Sequence, residues 1–373
     1  MTDLITPITM PKFGLAMTEG RIAGWNIAPG AHVDAGQEIA DIETTKITNG
    51  YESPASGLLR RQIAAEGETL PVGALMGVLA EPAVSDADID AFIAKFQADF
   101  ASESTDSTQA EQAEPVMVSV GALTLRVQES GQGSDTPLLF IHGFGGDLSN
   151  WMLNQTTLSA DRRTIAFDLP GHGGSSKDVG DGKPATFAAT AAALLTALDV
   201  PRVHVVGHSL GGAIALELAK AYPQKVASLS LIAPAGLGSA INMDFIDGFI
   251  SADRRKTLEP VLNYLVHDKS LISRKMIEDI IRFKRLDGAL QCLQTIAKAC
   301  FPDGKQADDL RPALTGFSGP SQIIWGAADE VLSPSDADGL PDSITVTIIP
   351  QVGHMPQLEK AADVNAAIMK FVK

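Results

Sequence analysis

The sequence predicts two domains, a small all-β domain followed by a larger α/β domain with a mostly parallel sheet and a helical cap. Three observations support this fold class. The chain has 373 residues, which at roughly 100–200 residues per domain corresponds to about two domains. Residues 1–80 contain an internal repeat of short strand-like runs. From residue 116 onward, strand-like and helix-like segments alternate.

The repeat indicates that residues 1–80 form one small β domain made of two similar halves. The run PGAHVDAGQEI at 29–39 resembles the run EGETLPVGALM at 66–76, and each contains two glycines six residues apart. Short apolar runs separated by Gly, Pro and Asn are typical of small paired sheets rather than of helices. We therefore expect an all-β domain over this range.

Residues 81–115 are predicted to join the two domains. Apolar residues at helical spacing predict one short helix within 85–101. The following run, 102–115, is rich in Ser, Thr, Gln, Glu and Ala and has no apolar pattern. Such a composition is typical of a flexible tether.

Residues 116–373 are predicted to form the α/β domain. Six short apolar runs have the character of strands, and they lie at 137–141, 163–167, 203–206, 229–232, 321–325 and 344–348. Helical patterns such as 212–222 and 361–372 accompany them, so we expect helices on both faces of a mostly parallel sheet. The block 239–311 has helical patterns without a clear strand, and we expect it to form the cap.

The formal net charge of −16 argues against polyanionic partners. Residues 1–114 contain 18 acidic and 6 basic residues, whereas residues 115–373 contain 27 and 23. A chain this acidic is a poor binder of nucleic acid or of an anionic membrane through its overall field. The sequence has no secretory signal pattern, no run of 18 apolar residues and only two cysteines, so we expect a cytoplasmic protein.

The run Gly207-His208-Ser209-Leu210-Gly211 is a G-x-S-x-G motif. It directly follows a predicted strand and opens a predicted helix, which is the context that exposes a nucleophilic serine at the carboxyl end of a sheet. A serine hydroxyl is a weak nucleophile, so it needs a base within hydrogen-bond reach and an acid that orients the base. We therefore predict Ser209 as the nucleophile.

Two further residues, each just past a predicted strand, complete a catalytic triad. Asp329 is the predicted acid and His354 the predicted base. The chain order Ser209, Asp329, His354 resembles that of the α/β-hydrolase fold. This resemblance implies that the run HGFGG at 142–146 is an oxyanion loop, and that the backbone N–H groups of Phe144 and Leu210 hold the developing oxyanion.

Other polar residues near these strands are interpreted as structural. Asp168 also lies at a strand end and is the less favoured alternative for the acid, because it has the character of a turn former. His204 and His208 flank the serine on its strand and are given structural roles. No set of His, Cys or carboxylates has the spacing of metal ligands, so no metal site is expected.

Lys46 lies in a polar stretch between strand-like runs, which is typical of a hairpin tip. The runs MPK at 10–12, MTEG at 17–20, ETTK at 43–46 and SPASG at 53–57 resemble lipoyl domains across about 75 residues. The resemblance implies a flattened β barrel in which Lys46 carries lipoic acid in amide linkage. Thr45 replaces the Asp that is commonest before this lysine. Biotinyl domains share the fold but usually have Met where Thr45 and Ile47 stand.

A lipoyl domain joined to an α/β-hydrolase domain resembles the family of dihydrolipoyllysine-residue acetyltransferase components of acetoin dehydrogenase complexes. The resemblance covers essentially the full chain. It implies acetyl transfer from the dihydrolipoyl arm on Lys46 to coenzyme A. The implied partners are a thiamin-diphosphate enzyme that cleaves acetoin and a dihydrolipoyl dehydrogenase. The H-x-x-x-D-G motif of the usual trimer-forming domain is not found, so a homo-oligomer is only one alternative for the assembly.

Two rival functions remain open at this point. The same triad would serve a thioesterase or carboxylesterase, in which water accepts the acyl group. A carrier or scaffold protein, in which the hydrolase-like domain only docks partners, is the alternative from another class.

Coenzyme A carries phosphates, so a basic surface is expected near its site. Residues 254–285, within the expected cap, contain nine basic and four acidic residues. We interpret this segment as a contact for coenzyme A, through Arg254 and Arg255, or for the acidic lipoyl domain. The alternative is that these bases belong to ordinary solvated helix faces.

Overall fold

A computed structural model describes residues 5–11, 13, 17, 19–44, 48–106 and 114–372. These residues fall into two compact units, one within 1–108 and the other within 109–373. Each unit has its own hydrophobic core.

The first unit contains two four-stranded antiparallel sheets. Its strands are β1 (Ile5–Thr9), β2 (Glu19–Trp25), β3 (His32–Val33), β4 (Glu38–Glu43), β5 (Thr48–Glu52), β6 (Gly57–Gln62), β7 (Thr69–Pro71) and β8 (Leu75–Ala80). One sheet has the order β1-β8-β6-β3, and the other has the order β5-β4-β2-β7. The prediction of a small all-β domain is confirmed.

The sequence repeat corresponds to a repeat in the structure. Its four glycines share a left-handed backbone with φ between 80° and 87°, which glycine adopts without a steric cost: Gly30, Gly36, Gly67 and Gly73. The N–H of Gly30 donates to the carbonyl of Leu59 at 2.7 Å, and the N–H of Gly67 donates to that of Ile22 at the same distance. Leu59 and Ile22 are themselves 37 residues apart, so the two halves are held by equivalent contacts.

A helix, α1 (Asp86–Asp106), packs on the first unit. The Ser85 hydroxyl caps its first turn by accepting from the N–H of Asp88. Its buried Ile89 packs with the outward face of β8, whose other face belongs to the core between the sheets. The helix is longer than the predicted short one and extends into the predicted tether, because no Gly or Pro interrupts the run 86–106. Residues 107–113 of that tether lie outside the described residues.

The second unit is built on one eight-stranded sheet. Its strands are β9 (Val116–Val120), β10 (Leu123–Ser130), β11 (Leu138–Ile141), β12 (Thr164–Phe167), β13 (Val203–His208), β14 (Val226–Ile232), β15 (Ser321–Gly326) and β16 (Ile344–Ile349). Their order is β16-β15-β14-β13-β11-β12-β10-β9. From β12 to β16 all neighbours pair in parallel, and β10 runs antiparallel to both of its neighbours. The mostly parallel sheet is confirmed, and the edge strands β9 and β10 are additional to the predicted runs.

Helices cover both faces of this sheet. They are α2 (Met152–Leu158), α3 (Pro184–Ala197), α4 (Leu210–Ala221), α10 (Pro356–Glu359) and α11 (Ala361–Phe371). Successive residues of a strand point to opposite faces. Accordingly, Leu139 packs with the residues of α3 and α4, whereas Phe140 packs with those of α2 and α11.

Five helices separate β14 from β15. They are α5 (Met243–Ser251), α6 (Arg255–Leu262), α7 (Arg274–Lys284), α8 (Ala289–Cys300) and α9 (Arg311–Gly316). Buried residues of α5 to α8, such as Phe249 and Leu293, join the same core as α3 and α4. Among the described residues, no helix is both long and apolar enough to span a membrane.

Candidate active site

Ser209 lies at the sharp turn between β13 and α4. Its backbone has φ 54° and ψ −120°, a conformation that an L-residue rarely adopts and that marks a functional turn when it is held in place. A Cβ on Gly207 would lie 2.4 Å from the carbonyl oxygen of Gly211, and one on Gly211 would lie 2.1 Å from that of Ile141. The turn therefore requires glycine at both ends of the motif, as the sequence pattern predicts.

Asp329 follows β15 and has no exposed side-chain surface. Its Oδ2 accepts from Nδ1 of His354 at 2.8 Å and from Nε1 of Trp325 at 2.8 Å. Its Oδ1 accepts from the backbone N–H groups of Val331 and Leu332 at 2.8 and 3.0 Å. Four donors thus hold this carboxylate in one orientation.

The electrostatics of Asp329 suit an ionised orienting acid. Burial is the largest single influence and favours the neutral carboxylic acid, whereas the adjacent His354 ring and its hydrogen bond favour the carboxylate. The backbone donors Leu332 and Val331 act in the same direction, so the pKa of Asp329 is held below its usual range. Trp325 and these two amides are residues that motif reasoning missed, although Trp325 stands only four residues before the acid.

His354 lies on the loop after β16 and is buried. A Cβ on Gly326 would lie 2.1 Å from the carbonyl oxygen of Gly353, so glycine at the end of β15 lets this loop pass close to Asp329. The N–H of Gly353 donates to Glu359 Oε1 at 2.6 Å, and Glu359 Oε2 accepts from the N–H of His267 at 2.7 Å. Glu359 therefore ties the loop of the predicted base to the segment that follows α6.

His208 connects the serine turn to the predicted base. Its Nε2–H donates to the backbone carbonyl of His354 at 2.7 Å, and the two ring centroids are 4.8 Å apart. Burial, followed by the proximity of His354, lowers the pKa of His208 to about 3, so this ring is neutral at physiological pH. The structure thus brings the residue before Ser209 into direct contact with the residue that Asp329 orients.

The oxyanion loop lies against the serine. A Cβ on Gly143 would lie 3.0 Å from Cβ of Ser209, so the loop after β11 approaches within contact distance. Within the described chain, the backbone N–H groups of Phe144 and Leu210 donate to no other residue. Two free amides beside the nucleophilic serine of a sharp turn are what an oxyanion hole requires.

Three aromatic side chains pack together at the oxyanion loop. The Phe144 ring packs edge-on against Phe249 of α5 at 5.9 Å and against Phe301 at 6.3 Å. All three are buried. A Cβ on Gly145 would lie 2.4 Å from the Phe249 ring, so the loop and α5 are in close contact. Ser209 itself keeps 8% of its surface exposed.

The residues interpreted as structural have structural partners. Asp168 is fully buried and accepts from the backbone N–H groups of Leu148 and Gly174 at 2.8 and 2.7 Å. It lies 3.4 Å from Arg126, and no hydrogen bond joins it to His354. His204 contacts Ser228 Oγ at 2.7 Å on the neighbouring strand.

Lys46 itself lies outside the described residues. The strands that flank it, β4 and β5, pair antiparallel, with Glu43 opposite Thr48 at the open end of the pairing. The chain between these two residues therefore joins two paired strands. This arrangement fits a lysine that carries a lipoyl group, whose reduced dithiol form would supply a thiol able to hold an acyl group.

Arg254 and Arg255 lie at the start of α6 and are exposed. Arg254 is 4.0 Å from Asp253, and Arg255 is 3.2 Å from Glu259. Exposed ion pairs of this kind contribute little to the stability of the fold, so the two arginine side chains remain able to reach another anion. In the described part of the chain, no group of three or more His, Cys, Asp or Glu could hold a metal ion.

Comparison with known proteins covers both units. A profile of the α/β-hydrolase fold family matches residues 136–361, and a profile described as "Biotin-requiring enzyme", for biotin and lipoyl domains, matches residues 6–79. The dihydrolipoyllysine-residue acetyltransferase component of the acetoin cleaving system of Pseudomonas putida is 44% identical over 99% of both chains. Its counterpart from Cupriavidus necator is 40% identical over 100% of this chain and 98% of its own.

The chain belongs to this acetyltransferase family, and its larger unit to the α/β-hydrolase fold family. Among solved structures, a meta-cleavage product hydrolase from Pseudomonas fluorescens IP01 matches with a TM-score of 0.62 and 21% identity. That match covers 69% of this chain and 96% of the hydrolase, and it shows the fold of the larger unit. The resemblance inferred from motifs is thus confirmed, and it extends over nearly the full length of this chain and of both relatives.

Proposed function

We propose that this chain transfers an acetyl group from an acetyl-dihydrolipoyl donor on Lys46 to coenzyme A, with Ser209, His354 and Asp329 as a catalytic triad. Two findings support acetyl transfer: full-length membership of the acetyltransferase family and the presence of a biotin/lipoyl domain. The observation that carries the triad is the 2.8 Å contact between Asp329 Oδ2 and His354 Nδ1 beside the serine turn.

The contact with Asp329 holds the proton of His354 on Nδ1, so Nε2 is left to accept a proton. His354 takes the proton of the Ser209 hydroxyl, and Ser209 Oγ attacks the thioester carbonyl. The N–H groups of Phe144 and Leu210 stabilise the oxyanion. When the tetrahedral intermediate collapses, His354 returns the proton to the departing thiol, and the acetyl group stays on Ser209.

The second half repeats these roles with coenzyme A. His354 takes the proton of the coenzyme A thiol, whose sulfur attacks the acetyl-serine carbonyl. Collapse restores the Ser209 hydroxyl with the proton from His354. A direct route, in which His354 activates coenzyme A and the Ser209 hydroxyl only supports the oxyanion, uses the same residues without an acyl-enzyme.

Water is the competing acceptor, and membership of the acetyltransferase family favours the transferase over a thioesterase. Acetyl-dihydrolipoamide, offered with and without coenzyme A, separates the two. The proposal expects acetyl-coenzyme A to form when coenzyme A is present. Without coenzyme A, acetate release should be at least about 100-fold slower than that transfer. Rapid acetate release without coenzyme A identifies a thioesterase and contradicts the proposal.

The carrier role of Lys46 has its own test. The protein produced in cells able to lipoylate is compared by mass spectrometry with Lys46→Arg and with the control Lys95→Arg, which changes a lysine of α1. The proposal expects lipoylation in the wild type and in the control, and its loss in Lys46→Arg. An unmodified Lys46 in the wild type contradicts it.

We further propose that the natural donor is loaded by a thiamin-diphosphate enzyme that cleaves acetoin and that the arm is reoxidised by dihydrolipoyl dehydrogenase. The names of the relatives as parts of acetoin cleaving systems support this assignment. The free thiols of Cys292 and Cys300 support a cytoplasmic location. Reconstitution with both enzymes tests the assignment of these partners. Acetoin-dependent formation of acetyl-coenzyme A is the expected result.

A further inference from the structure

Phe144, whose N–H is a proposed oxyanion donor, lies between two peptide groups that are each bound by a buried histidine. The carbonyl of Gly143, in the same peptide group as the Phe144 N–H, accepts from Nδ1 of His142 at 2.8 Å. The following N–H, that of Gly145, donates to Nε2 of His172 at 3.1 Å. The direction of the Phe144 N–H is therefore set from both sides.

The hydrogen bonds fix the protonation of both rings. A carbonyl oxygen can only accept, so His142 carries its proton on Nδ1, and its Nε2 accepts from the N–H of Leu169 at 3.0 Å. His172 likewise donates from Nδ1 to the carbonyl of Pro170 at 3.1 Å, which leaves Nε2 free to accept from Gly145. Burial lowers the pKa of His172 to about 3, with the neighbouring His142 acting in the same direction.

His172 is in turn held by the cap. Its ring stacks on Phe283 of α7 with an interplanar angle of 7° and a centroid distance of 6.3 Å. Lys177 Nζ lies 5.5 Å from the centroid of Phe283 and donates to the carbonyl of His172 at 3.3 Å. His172 is fully buried, so its ring cannot turn without disturbing this stack.

We infer that His172 is a positioning residue for the oxyanion hole and that Phe283 couples it to the cap. The chain of contacts runs from Phe283 to the His172 ring, from Nε2 to the Gly145 N–H, and from there to the neighbouring Phe144 amide. The inference rests on the proposed function, because it assumes that the Phe144 N–H binds an oxyanion formed at Ser209.

The test compares His172→Phe, which fills the space but has no acceptor, with His172→Gln, whose Oε1 can accept from Gly145. We expect His172→Phe to lower kcat about 10- to 100-fold, somewhat less than the loss of a whole oxyanion donor, with an unchanged KM for acetyl-dihydrolipoamide. His172→Gln should stay within about 3-fold of the wild type, since it restores the acceptor. The matched control is His204→Phe, which changes a histidine of β13 that contacts Ser228.

A second readout separates positioning from general damage. A trifluoromethyl ketone analogue of the donor forms a charged adduct with a serine and needs the oxyanion hole, whereas a thioether analogue has no carbonyl. We expect His172→Phe to weaken the ketone by the same factor as kcat and to leave the thioether unchanged. Equal losses for the two analogues, or equal losses in His172→Phe and His172→Gln, overturn the inference.

Phe283→Leu tests the coupling to the cap and serves also where His172→Phe does not fold. It keeps the Nε2 acceptor and removes the aromatic stack, so kcat should fall about 3- to 10-fold at constant KM. An unchanged kcat overturns the coupling. Absence of any Ser209-dependent transfer in the wild type would count against the proposed function, whereas a wild-type kcat in His172→Phe counts against this inference alone.

Discussion

His208 donates its Nε2–H to the backbone carbonyl of His354 at 2.7 Å, so the serine turn and the loop of the predicted base are directly bonded. The bond joins residues 146 positions apart in the chain. It holds the segments that follow β13 and β16 at a fixed distance from each other. The proposed catalysis by Ser209 requires this relation, because a base displaced by about 1 Å loses much of its effect.

Asp329→Asn should lower kcat about 10³- to 10⁴-fold without unfolding the protein. The amide keeps the shape of the side chain, but it presents a donor to His354 Nδ1 and so favours the wrong tautomer of the base. Steady-state kinetics with acetyl-dihydrolipoamide and coenzyme A measure the effect.

Asp168→Asn is the matched control, because Asp168 is the other buried aspartate at a strand end. It should reduce stability through its contacts with Leu148 and Gly174, while kcat per folded molecule stays within about 10-fold of the wild type. If Asp168→Asn lost more activity than Asp329→Asn, the assignment of the acid would be wrong.

Phe249→Ala should extend the range of acyl groups that the enzyme accepts. The Phe249 ring packs against Phe144 beside the proposed oxyanion hole, so its removal opens space where a longer acyl chain would lie. We expect kcat/KM for butyryl-dihydrolipoamide to rise about 10-fold or more relative to acetyl-dihydrolipoamide, since each added methylene in an apolar site is worth about 1–3 kcal/mol.

Phe245→Ala is the comparison for this prediction, because Phe245 contacts Phe249 at 5.9 Å but makes no ring contact with Phe144. It should cost stability to a similar degree and leave the ratio of butyryl to acetyl transfer unchanged. An identical shift in both variants would mean that loosening of α5, and not the lost Phe249 ring, changes the selectivity.

Charge reversal at Arg254 and Arg255 should raise the KM for coenzyme A about 5- to 20-fold, because attraction between these bases and the phosphates would become repulsion. The KM for acetyl-dihydrolipoamide, which carries no phosphate, should not change. Reversal of Arg274 and Lys275, two exposed bases of α7 that pair with Glu278 and Asp279, is the control. Equal effects of the two double variants would point to net charge and not to a coenzyme A contact.

The buried histidines make the larger unit sensitive to acid. The pKa values of His172 and His208 are lowered by burial to about 3, whereas a histidine in the unfolded chain titrates near 6.5. Below about pH 6.5 the unfolded state therefore binds more protons, so the free energy of unfolding is highest above that pH and falls as the pH approaches 3. Each histidine contributes a slope of about 1.4 kcal/mol per pH unit between the two limits.

Denaturant unfolding at pH 7.5, 6.0 and 5.0 measures this slope. The fluorescence of Trp151 and Trp325 reports on the larger unit when Trp25 is changed to Phe. His172→Gln removes one titrating group, so its slope should be smaller than that of the otherwise identical chain, with a difference that approaches about 1.4 kcal/mol per pH unit below pH 6. The same slope in both proteins would contradict the assignment of a buried neutral His172.

Local motifs predict those parts of the site that short stretches of chain determine. The glycines around Ser209 indicate the serine turn, because a Cβ at Gly207 or Gly211 would collide with nearby backbone. The positions of Asp329 and His354 just past two strands predict their place in the site, since the carboxyl ends of parallel strands meet at one edge of a sheet.

The supporting contacts could not be predicted, because they join distant parts of the chain. Glu359 reaches His267 across 92 residues, and His172 reaches Gly145 across 27. Each is one polar residue among many in the sequence, and only the folded chain shows which backbone N–H it accepts from. The extension of α1 to Asp106 is a further case, since a polar run without Gly or Pro is compatible with a tether or with a helix.

The central claim is that Ser209 carries the acetyl transfer. The direct measurement is the rate of acetyl-coenzyme A formation from acetyl-dihydrolipoamide by the wild type and by Ser209→Ala, with equal lipoylation of both proteins verified by mass spectrometry. The account predicts a loss of at least about 10²-fold in Ser209→Ala, because the covalent route loses its nucleophile and the direct route loses an oxyanion donor. Transfer by Ser209→Ala at the wild-type rate would contradict it.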